Sequence, residues 1–556
     1  MAAFRDTPVA HAFRLLGMKN SFAFPEEKSD FERPTQKSFH GWQKGLNTPS
    51  TSSMSGSSSD ESEVKTEKIL ANASNGTPNL RIAALSEEAR EEHILVDWYD
   101  ANDAANPRNW SKMKKIWSAG IVCWFTFVVY CASAIFVPAD TFVGMRYGTS
   151  HELTSLSLAM YVLGYGIGPM LFSPVSEIAY IGRNPPYLVS FVCFLVISVI
   201  TAVVANKSFA ALIVMRFLQG FFGSPILASG GASLDDIYDS DSLPYAYVFW
   251  IAAMYCGPAL GPVISAYAVM DDWRWPLWEI LIMSGPLLVC LPLLPETSAP
   301  KILYKRAVRL RHATGDPRYK SKAELVKLDT TGIFIDALIK PIEIAIKDPV
   351  IAFVCVYGSL LYATYYSFFE AFPIVYAGVY GLSLQSIALV FTSVVVGCAI
   401  FGSTYTAYLY FIYGPQSKRQ EMTLESRLRA ALPAVFLLPA SLFLFAWTSR
   451  ADVHWIVPTV GIMLYSGTSF VIFQCIVCYV PLTYPKYVAS LFAGNDFCRS
   501  CLAAGFVMFS RAMYMQLGIA KGVTLLAGLS VMGILGMFYL YFYGANLRAK
   551  SKFAVG

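Results

Sequence analysis

The chain has 556 residues, of which 55% are hydrophobic and only 15% charged, with a formal net charge of +5. Soluble domains carry about 25% charged residues, so a water-soluble fold of this length is excluded. The net charge is too small to argue for nucleic acid. Residues 1–90 are rich in Ser, Glu, Asp, Lys and Pro around STSSMSGSSSDESE. That composition cannot bury a core, so the whole leader, 1–115, is expected to be a mostly disordered cytoplasmic tail without a cleavable signal segment.

Twelve long apolar segments follow, at 117–139, 153–173, 186–205, 209–230, 247–270, 274–294, 350–372, 384–413, 431–448, 455–481, 487–510 and 519–543. Each is long enough to cross ~30 Å of hydrocarbon as a helix. They are apolar all round, as in FVCFLVISVITAVVA, whereas a surface helix repeats a polar face. The fold class is therefore an all-α membrane protein with twelve transmembrane helices in two six-helix bundles.

In chain order, span 2 ends near Glu177, and a short turn follows with Gly182 and Arg183. Glycine permits a tight turn there, and the arginine can bond a carboxylate or helix-end carbonyls. Span 4 carries Arg216 about seven residues from its outer end, or ~10 Å deep, with Gln219 one turn on. A charge at that depth is costly and faces a partner or a cavity. The 4–5 loop is acidic, with Asp235, Asp236, Asp239 and Asp241. Span 5 holds two i, i+4 pairs, Gly257/Gly261 and Pro258/Pro262. The glycines suit close helix contact and the prolines bend the helix. Glu279 lies near the outer end of span 6.

Residues 296–349 form a basic linker; Lys301 to Lys327 alone holds nine Lys and Arg. Its second half, FIDALIKPIEIAIKD, spaces Ile335, Leu338, Ile339, Ile342 and Ile346 as one apolar helix face. Such amphipathic helices are expected to lie along the cytoplasmic membrane surface. Span 7 carries a stripe of Tyr362, Tyr365, Tyr366, Phe369 and Glu370 at helical spacing. It offers stacking surface, hydroxyls and a carboxylate, or it packs against other helices. Span 11 carries Asn495 and Asp496, with Arg499 at i+3. That pair either neutralises itself permanently or opens on protonation. Burial favours the neutral carboxyl, so Asp496, Glu370 and Glu279 are candidates for proton uptake. Bases concentrate in the linker, in the 8–9 loop (Lys418, Arg419, Arg427, Arg429) and in the tail 544–556 (Arg548, Lys550, Lys552). The positive-inside rule then puts both termini in the cytoplasm. The domain plan is a bundle over 116–295, the linker, and a bundle over 350–543.

Several motifs in order carry a resemblance: DWYDANDAANPRNWS before span 1, SPVSEIAYIGRNPPY after span 2, RFLQGFFGSP in span 4, CGPALGP in span 5, WRWPLWEI to PET around span 6, and NDFCRS in span 11. The chain resembles the major facilitator superfamily and, within it, the fungal twelve-span drug:proton antiporters. Ser173, Glu177 and Asn184 depart from the general superfamily pattern as that subgroup does. The resemblance implies a proton-driven exporter of antifungals, toxins or metabolites at the plasma membrane, with the vacuolar membrane as the alternative. It implies proton coupling at Arg216 with Asp496, Glu370 and Glu279, and a cytoplasmic gate at Glu177, Gly182 and Arg183. It links Gly257, Pro258, Gly261 and Pro262 to the direction of transport. Tyr362, Tyr365, Tyr366, Phe369, Gln219 and Asn495 are the substrate-cavity candidates. A dedicated exporter of polyamines or of one metabolite, or a sensor that moves nothing, are the other readings.

The expected partners are a small molecule, protons and the lipid bilayer, with the chain acting as a monomer. No nucleotide-binding GxxxxGK[ST] is present, and no cofactor, metal or enzymatic centre is expected. The pairs Cys475/Cys478 and Cys498/Cys501 mimic zinc spacing but lie inside apolar helices, where no turn presents four thiolates to one ion.

Overall fold

The computed structural model describes residues 5–16, 23–27, 93–325, 339, 342–419, 423–484, 488–551 and 553. Eleven helices among them are long and apolar enough to cross a membrane. They are α1 (Lys112–Tyr147), α2 (His151–Glu177), α3 (Asn184–Val204), α4 (Phe209–Ile237), α5 (Leu243–Ala268) and α6 (Trp275–Leu293) in the first half. The second half holds α7 (Pro349–Ala377), α8 (Leu384–Ser417), α9 (Leu424–Thr448), α10 (Ile456–Thr483) and α12 (Ile519–Lys550). A further helix, α11 (Val488–Leu517), has 30 residues but carries Asp496, Arg499 and Arg511. Charge lowers its hydropathy, and packing against α2 and α7 shelters it.

Local chemistry sets the helix ends. The Ser111 hydroxyl accepts from the Lys114 amide at the start of α1. Asp348 accepts from the Val350 and Ile351 amides, with Pro349 in the first turn of α7, where a missing donor costs nothing. Gly182 turns the chain between α2 and α3 at φ +71°.

Helices α1–α6 and α7–α12 form two bundles that meet along two seams, α2 on α11 and α5 on α8 and α10. At the first seam a Cβ on Gly166 would stand 2.4 Å from the Ser500 Cβ. Only a glycine lets those helices approach so closely.

The segments on the side of the chain termini are more ordered than a tail composition suggests. A helix, Pro8–Leu15, touches the end of α6. Strand β1 (Ile94–Val96) pairs in parallel with β2 (Tyr319–Ser321), Ile94 opposite Tyr319. Both surround the linker helix Ala299–Thr314. Arg306 on that helix is 2% exposed; it donates to Asp103 at 2.7 Å, lies 3.4 Å from Glu26 and sits over the Tyr99 ring at 4.1 Å. Burial pushes the Asp103 carboxyl up, but the Arg306 bonds outweigh it and hold it below its ordinary range. Segments 5–16, 23–27 and 93–111, expected in a disordered tail, are thus folded onto the linker, where a small apolar cluster of Val96, Ala307, Leu310 and Tyr319 is flanked by these paired charges. The serine-rich stretch lies outside the described residues. So do Ile335 and Leu338 of the amphipathic linker face, while Ile339, Ile342 and Ile346 are exposed at 54%, 51% and 79%.

Candidate functional site

Midway along α7, the i, i+4 spacing brings Tyr362 and Tyr366 onto one buried face. Their hydroxyls meet those of the other bundle. Tyr165 of α2 lies 2.6 Å from the Tyr362 hydroxyl and donates to Tyr366 at 3.0 Å. Ser133 Oγ of α1 lies 3.1 Å from Tyr366. Tyr365 and Phe369 go elsewhere: Tyr365 donates to the Tyr255 carbonyl of α5 at 2.9 Å, and Phe369 stacks on Phe391 at 5.0 Å. In this conformation the stripe is closed against the facing bundle.

Arg216 is completely buried. It donates to the carbonyls of Ala132 at 2.9 Å and Ser133 at 2.7 Å, and to Gln219 Oε1 at 2.9 Å. Gln219 passes the chain on to Ser198 at 2.7 Å. The Tyr161 ring covers the guanidinium at 4.4 Å. The carbonyls come from the last turn of a helix segment that ends at Ala134, where they have no intrahelical donor and carry negative partial charge. Arg216 forms no ion pair among the described residues; Asp140, at the end of α1, is the carboxylate that acts on it. Ser133 therefore holds Arg216 with its carbonyl and Tyr366 with its hydroxyl.

Asp496 and Arg499 are joined at 2.8 Å and buried. Arg499 also donates to Tyr130 of α1 at 2.6 Å and lies over Tyr362 at 5.0 Å. Asp496 is the ninth residue of α11, not midway, because α11 runs on to Leu517. Asn495 turns to Cys355 of α7 at 3.9 Å and takes no part in the tyrosine network.

Toward the outer end, Glu370 closes a second cross-bundle contact. It accepts from Ser155 of α2 at 2.7 Å. His151 Nδ1 lies 3.6 Å and Arg511 of α11 3.7 Å from its other oxygen. These groups border a cavity of about 230 Å³ that Asp140, His151, Pro262, Phe369 and Glu370 help to line. Glu279 is half-buried in α6, apart from this cluster, near Cys131.

At the end nearer the chain termini, the charge contact expected of Glu177 is a through-space one with Arg183, and a second carboxylate, Glu296, holds the turn. Glu177 is exposed and makes no ion pair among the described residues. Glu296, in the PET motif, accepts from the Arg183 amide at 2.9 Å and pairs with Lys301 at 3.1 Å. Its carboxylate reaches the turn because Gly182 has no side chain; a Cβ there would stand 2.8 Å from Glu296 Oε2. The Arg183 side chain reaches Ser176 at 3.0 Å and Asp236 at 3.4 Å. All of these belong to the first bundle and its linker. Bonds between the bundles at this end run from Gln474 to the Pro244 carbonyl at 2.9 Å, from Arg427 to the Ser240 carbonyl at 3.1 Å and from Ser417 to Asp241 at 3.4 Å.

Gly257 and Gly261 press on α1, also inside the first bundle. A Cβ on Gly261 would stand 2.8 Å from the Ile135 amide nitrogen, and one on Gly257 2.8 Å from the Tyr130 Cβ. The close helix contact expected of these glycines is thus made with the segment that holds Arg216. Pro258 and Pro262 are buried, and Pro262 reaches the outer cavity.

Sequence reasoning missed Ser133, Tyr130, Tyr165, His151, Ser155 and Arg511. Arg511 stands one residue beyond the expected edge of span 11. His151 and Ser155 form an i, i+4 pair at the head of span 2, a signal that was present but had no visible partner.

The Major Facilitator Superfamily model matches residues 122–500. The MFS-type transporter pyvG of Aspergillus violaceofuscus is 44% identical, over 84% of this chain and 86% of its own length. Fluconazole resistance protein 1 of Saccharomyces cerevisiae is 36% identical, over 84% and 86%. Among solved structures, the proton:xylose symporter XylE aligns with a TM-score of 0.57 at 12% identity, covering 78% of this chain and 97% of XylE. At that identity the likeness is one of fold.

Proposed function

The chain belongs to the Major Facilitator Superfamily, and on that premise we propose a proton-coupled exporter of small organic molecules, a drug:proton antiporter that works by alternating access. Family and relatives make it a multi-pass membrane transporter and not an enzyme. The finer reading puts it in the plasma membrane as a monomer with both termini cytoplasmic.

One observation carries the coupling: a buried carboxylate, Glu370, bridges the two bundles beside an outer cavity. Ionised, it binds the Ser155 hydroxyl and attracts His151 and Arg511. When the outer halves of α2 and α7 part, this bridge opens, and Glu370 is the carboxylate that meets an incoming proton as substrate leaves. Ser133 and Tyr366 then relay the movement to the segment that Arg216 grips. Substrate loaded from the cytoplasmic side stacks on Tyr362 and Tyr366, where a ring contributes about 0.5–1.5 kcal/mol, and it leaves when the outer halves part. On the cytoplasmic side, the Gln474–Pro244, Arg427–Ser240 and Ser417–Asp241 contacts are the ones that alternate with it.

The test uses inside-out vesicles with an acidified lumen and rhodamine 6G as the transported cation. Wild-type uptake should collapse when the pH gradient is dissipated. Glu370→Gln should lose roughly tenfold or more at equal protein per membrane, about 1.4 kcal/mol per factor of ten. Uptake indifferent to the gradient, or unchanged in Glu370→Gln, would sink the reading.

A further inference from the structure

We propose that Ser551, at the end of α12, is a phosphorylation site for an Arg/Lys-directed protein kinase of the cytosol, and that its modification loosens the ends of the second bundle on that side. The proposal rests on the reading that both termini are cytoplasmic and adds a mode of regulation to it.

Three helix ends of the second bundle meet at one buried carboxylate. Asp348, 2% exposed, caps α7 with Oδ1, which accepts from the Val350 amide at 2.9 Å. Its Oδ2 accepts from the Tyr484 hydroxyl, just past α10, at 2.7 Å and from the Ser551 hydroxyl at 2.5 Å. Ser551 directly follows the last residue of α12, and its oxygen also accepts from the Phe553 amide at 3.2 Å. Three residues earlier, Arg548 pairs with Glu425 at 2.8 Å. Glu425 stands in the short helix Leu424–Leu428. Arg427 of that same helix holds the Ser240 carbonyl of the first bundle. The end of α12 thus grips the start of α7 through Ser551 and the 8–9 loop through Arg548.

The knot depends on a donor that phosphorylation removes. The Ser551 oxygen attacks the γ-phosphorus of ATP; the new O–P bond forms, the bond to the β-phosphate oxygen breaks, ADP leaves and the hydroxyl proton passes to the kinase. The product has no proton to donate and carries about −1.5 to −2 charge. It faces the Asp348 carboxylate, which repels it. The α7 amides that attract anions at a helix start are already taken by Asp348. The group also stands at the C-terminal end of α12, where the helix dipole opposes negative charge. The cations beside it on α12 are Lys550, which is exposed, and Arg548. A phosphate draws Arg548 off Glu425, and the 8–9 loop loses its anchor.

Sequence and exposure single out this serine. The run Arg-x-Lys-Ser-Lys occurs at 548–552 and again at 318–322, a basic context that suits the acidic substrate groove of such kinases. Ser321 of the second run is 1% exposed in strand β2 and bonded to Glu324 at 3.0 Å. Ser551 is half-buried at the end of a helix, where the last turn frays. The same local chemistry is therefore hidden at one site and presented at the other.

The test is to incubate inside-out vesicles of the full-length protein with the catalytic subunit of cyclic-AMP-dependent protein kinase and radiolabelled ATP. Label should enter Ser551, located by peptide mass spectrometry, with little at Ser321, and Ser551→Ala should lose most of it. Sealed right-side-out vesicles should stay unlabelled until permeabilised. Labelling of those vesicles while sealed would overturn the reading of the termini, and the proposal with it. Label at Ser321 with none at Ser551, or none at Ser551 in permeabilised vesicles, would overturn the site and leave the termini reading standing. In phosphorylated protein, hydrogen exchange of residues 424–428 should quicken several-fold, while 384–390, at the other end of α8, should not change. Unaltered exchange at 424–428 would overturn the switch. Site mapping and exchange both use the unsubstituted chain, so they decide even if Ser551→Ala misfolds.

Discussion

The two bundles each enclose an arginine, and they neutralise it by different means. Arg216 in the first bundle is held by backbone carbonyls of its own bundle and by an aromatic face. Arg499 in the second is paired with a carboxylate three residues away and reaches across to Tyr130 of the first. Carbonyl dipoles cannot be protonated away, so the Arg216 charge is permanent and any nearby carboxylate feels it. The Asp496–Arg499 pair is neutral as a unit, and losing either member strands a charge in a dry interior. The first bundle is also stiffened within, by the Gly257/Gly261 joint, and from outside by the N-terminal segment packed on the linker helix. Among the described residues, the second has no counterpart to that layer.

The largest expected effect separates the arginines. Asp496→Asn should destabilise the protein by roughly 3–5 kcal/mol, the usual cost of breaking a buried pair from one side. The double variant Asp496→Asn/Arg499→Gln should recover most of it. Arg216→Gln breaks no direct ion pair and should cost less stability while still impairing transport. Thermal unfolding in detergent, beside transport per folded molecule, measures both. Equal destabilisation by Asp496→Asn and Arg216→Gln would erase the distinction.

Next in size is the glycine joint. Gly261→Ala places a methyl 2.8 Å from backbone nitrogen of α1, and overpacking of this kind costs about 1–3 kcal/mol. Gly358→Ala on α7 meets only the Asn495 amide, at 3.6 Å, and should be neutral. The same melting assay compares them; similar midpoints would mean the first bundle is no stiffer there.

The smallest effect concerns the layer packed on the linker helix. Burial, and then the Lys305 charge, pushes His11 down to about 4; its ring lies 3.0 Å from Lys305 Nζ. A histidine lowered on folding binds more protons when undocked. Docking of helix Pro8–Leu15 is therefore intact at neutral pH and weakens between about 6.5 and 4 as pH falls. Hydrogen exchange of residues 8–15 should quicken at pH 5 relative to pH 7, after correction for intrinsic rates. His11→Gln should flatten that response, whereas residues 431–448 of α9 should show none.

The architecture was legible because its signals are local. Eleven helices are declared by length and hydropathy alone and α11 by its length despite its charges, and the charges inside them stand out since lipid penalises each one. Candidate positions such as Arg216, Glu370 and Asp496 followed from that penalty. The Asp496–Arg499 pair was readable as well, for its members are one helical turn apart. Partners from other helices were not. Nothing in span 7 says that Tyr362 and Tyr366 meet Tyr165 rather than an open cavity. Nothing in the 2–3 turn says that Glu296, over a hundred residues later, holds it.

The sequence by itself determined the membrane-spanning helical fold class and which buried charges demand an explanation. Hydrophobic length and desolvation cost are properties of a segment, and they need no knowledge of its neighbours. Only the tertiary structure decided which of those charges is paired, which is cradled by carbonyls and which bridges the bundles. It also decided that pieces of a polar leader fold onto the linker. These depend on which side chains meet across helices far apart in the chain, and packing geometry, not composition, selects those meetings.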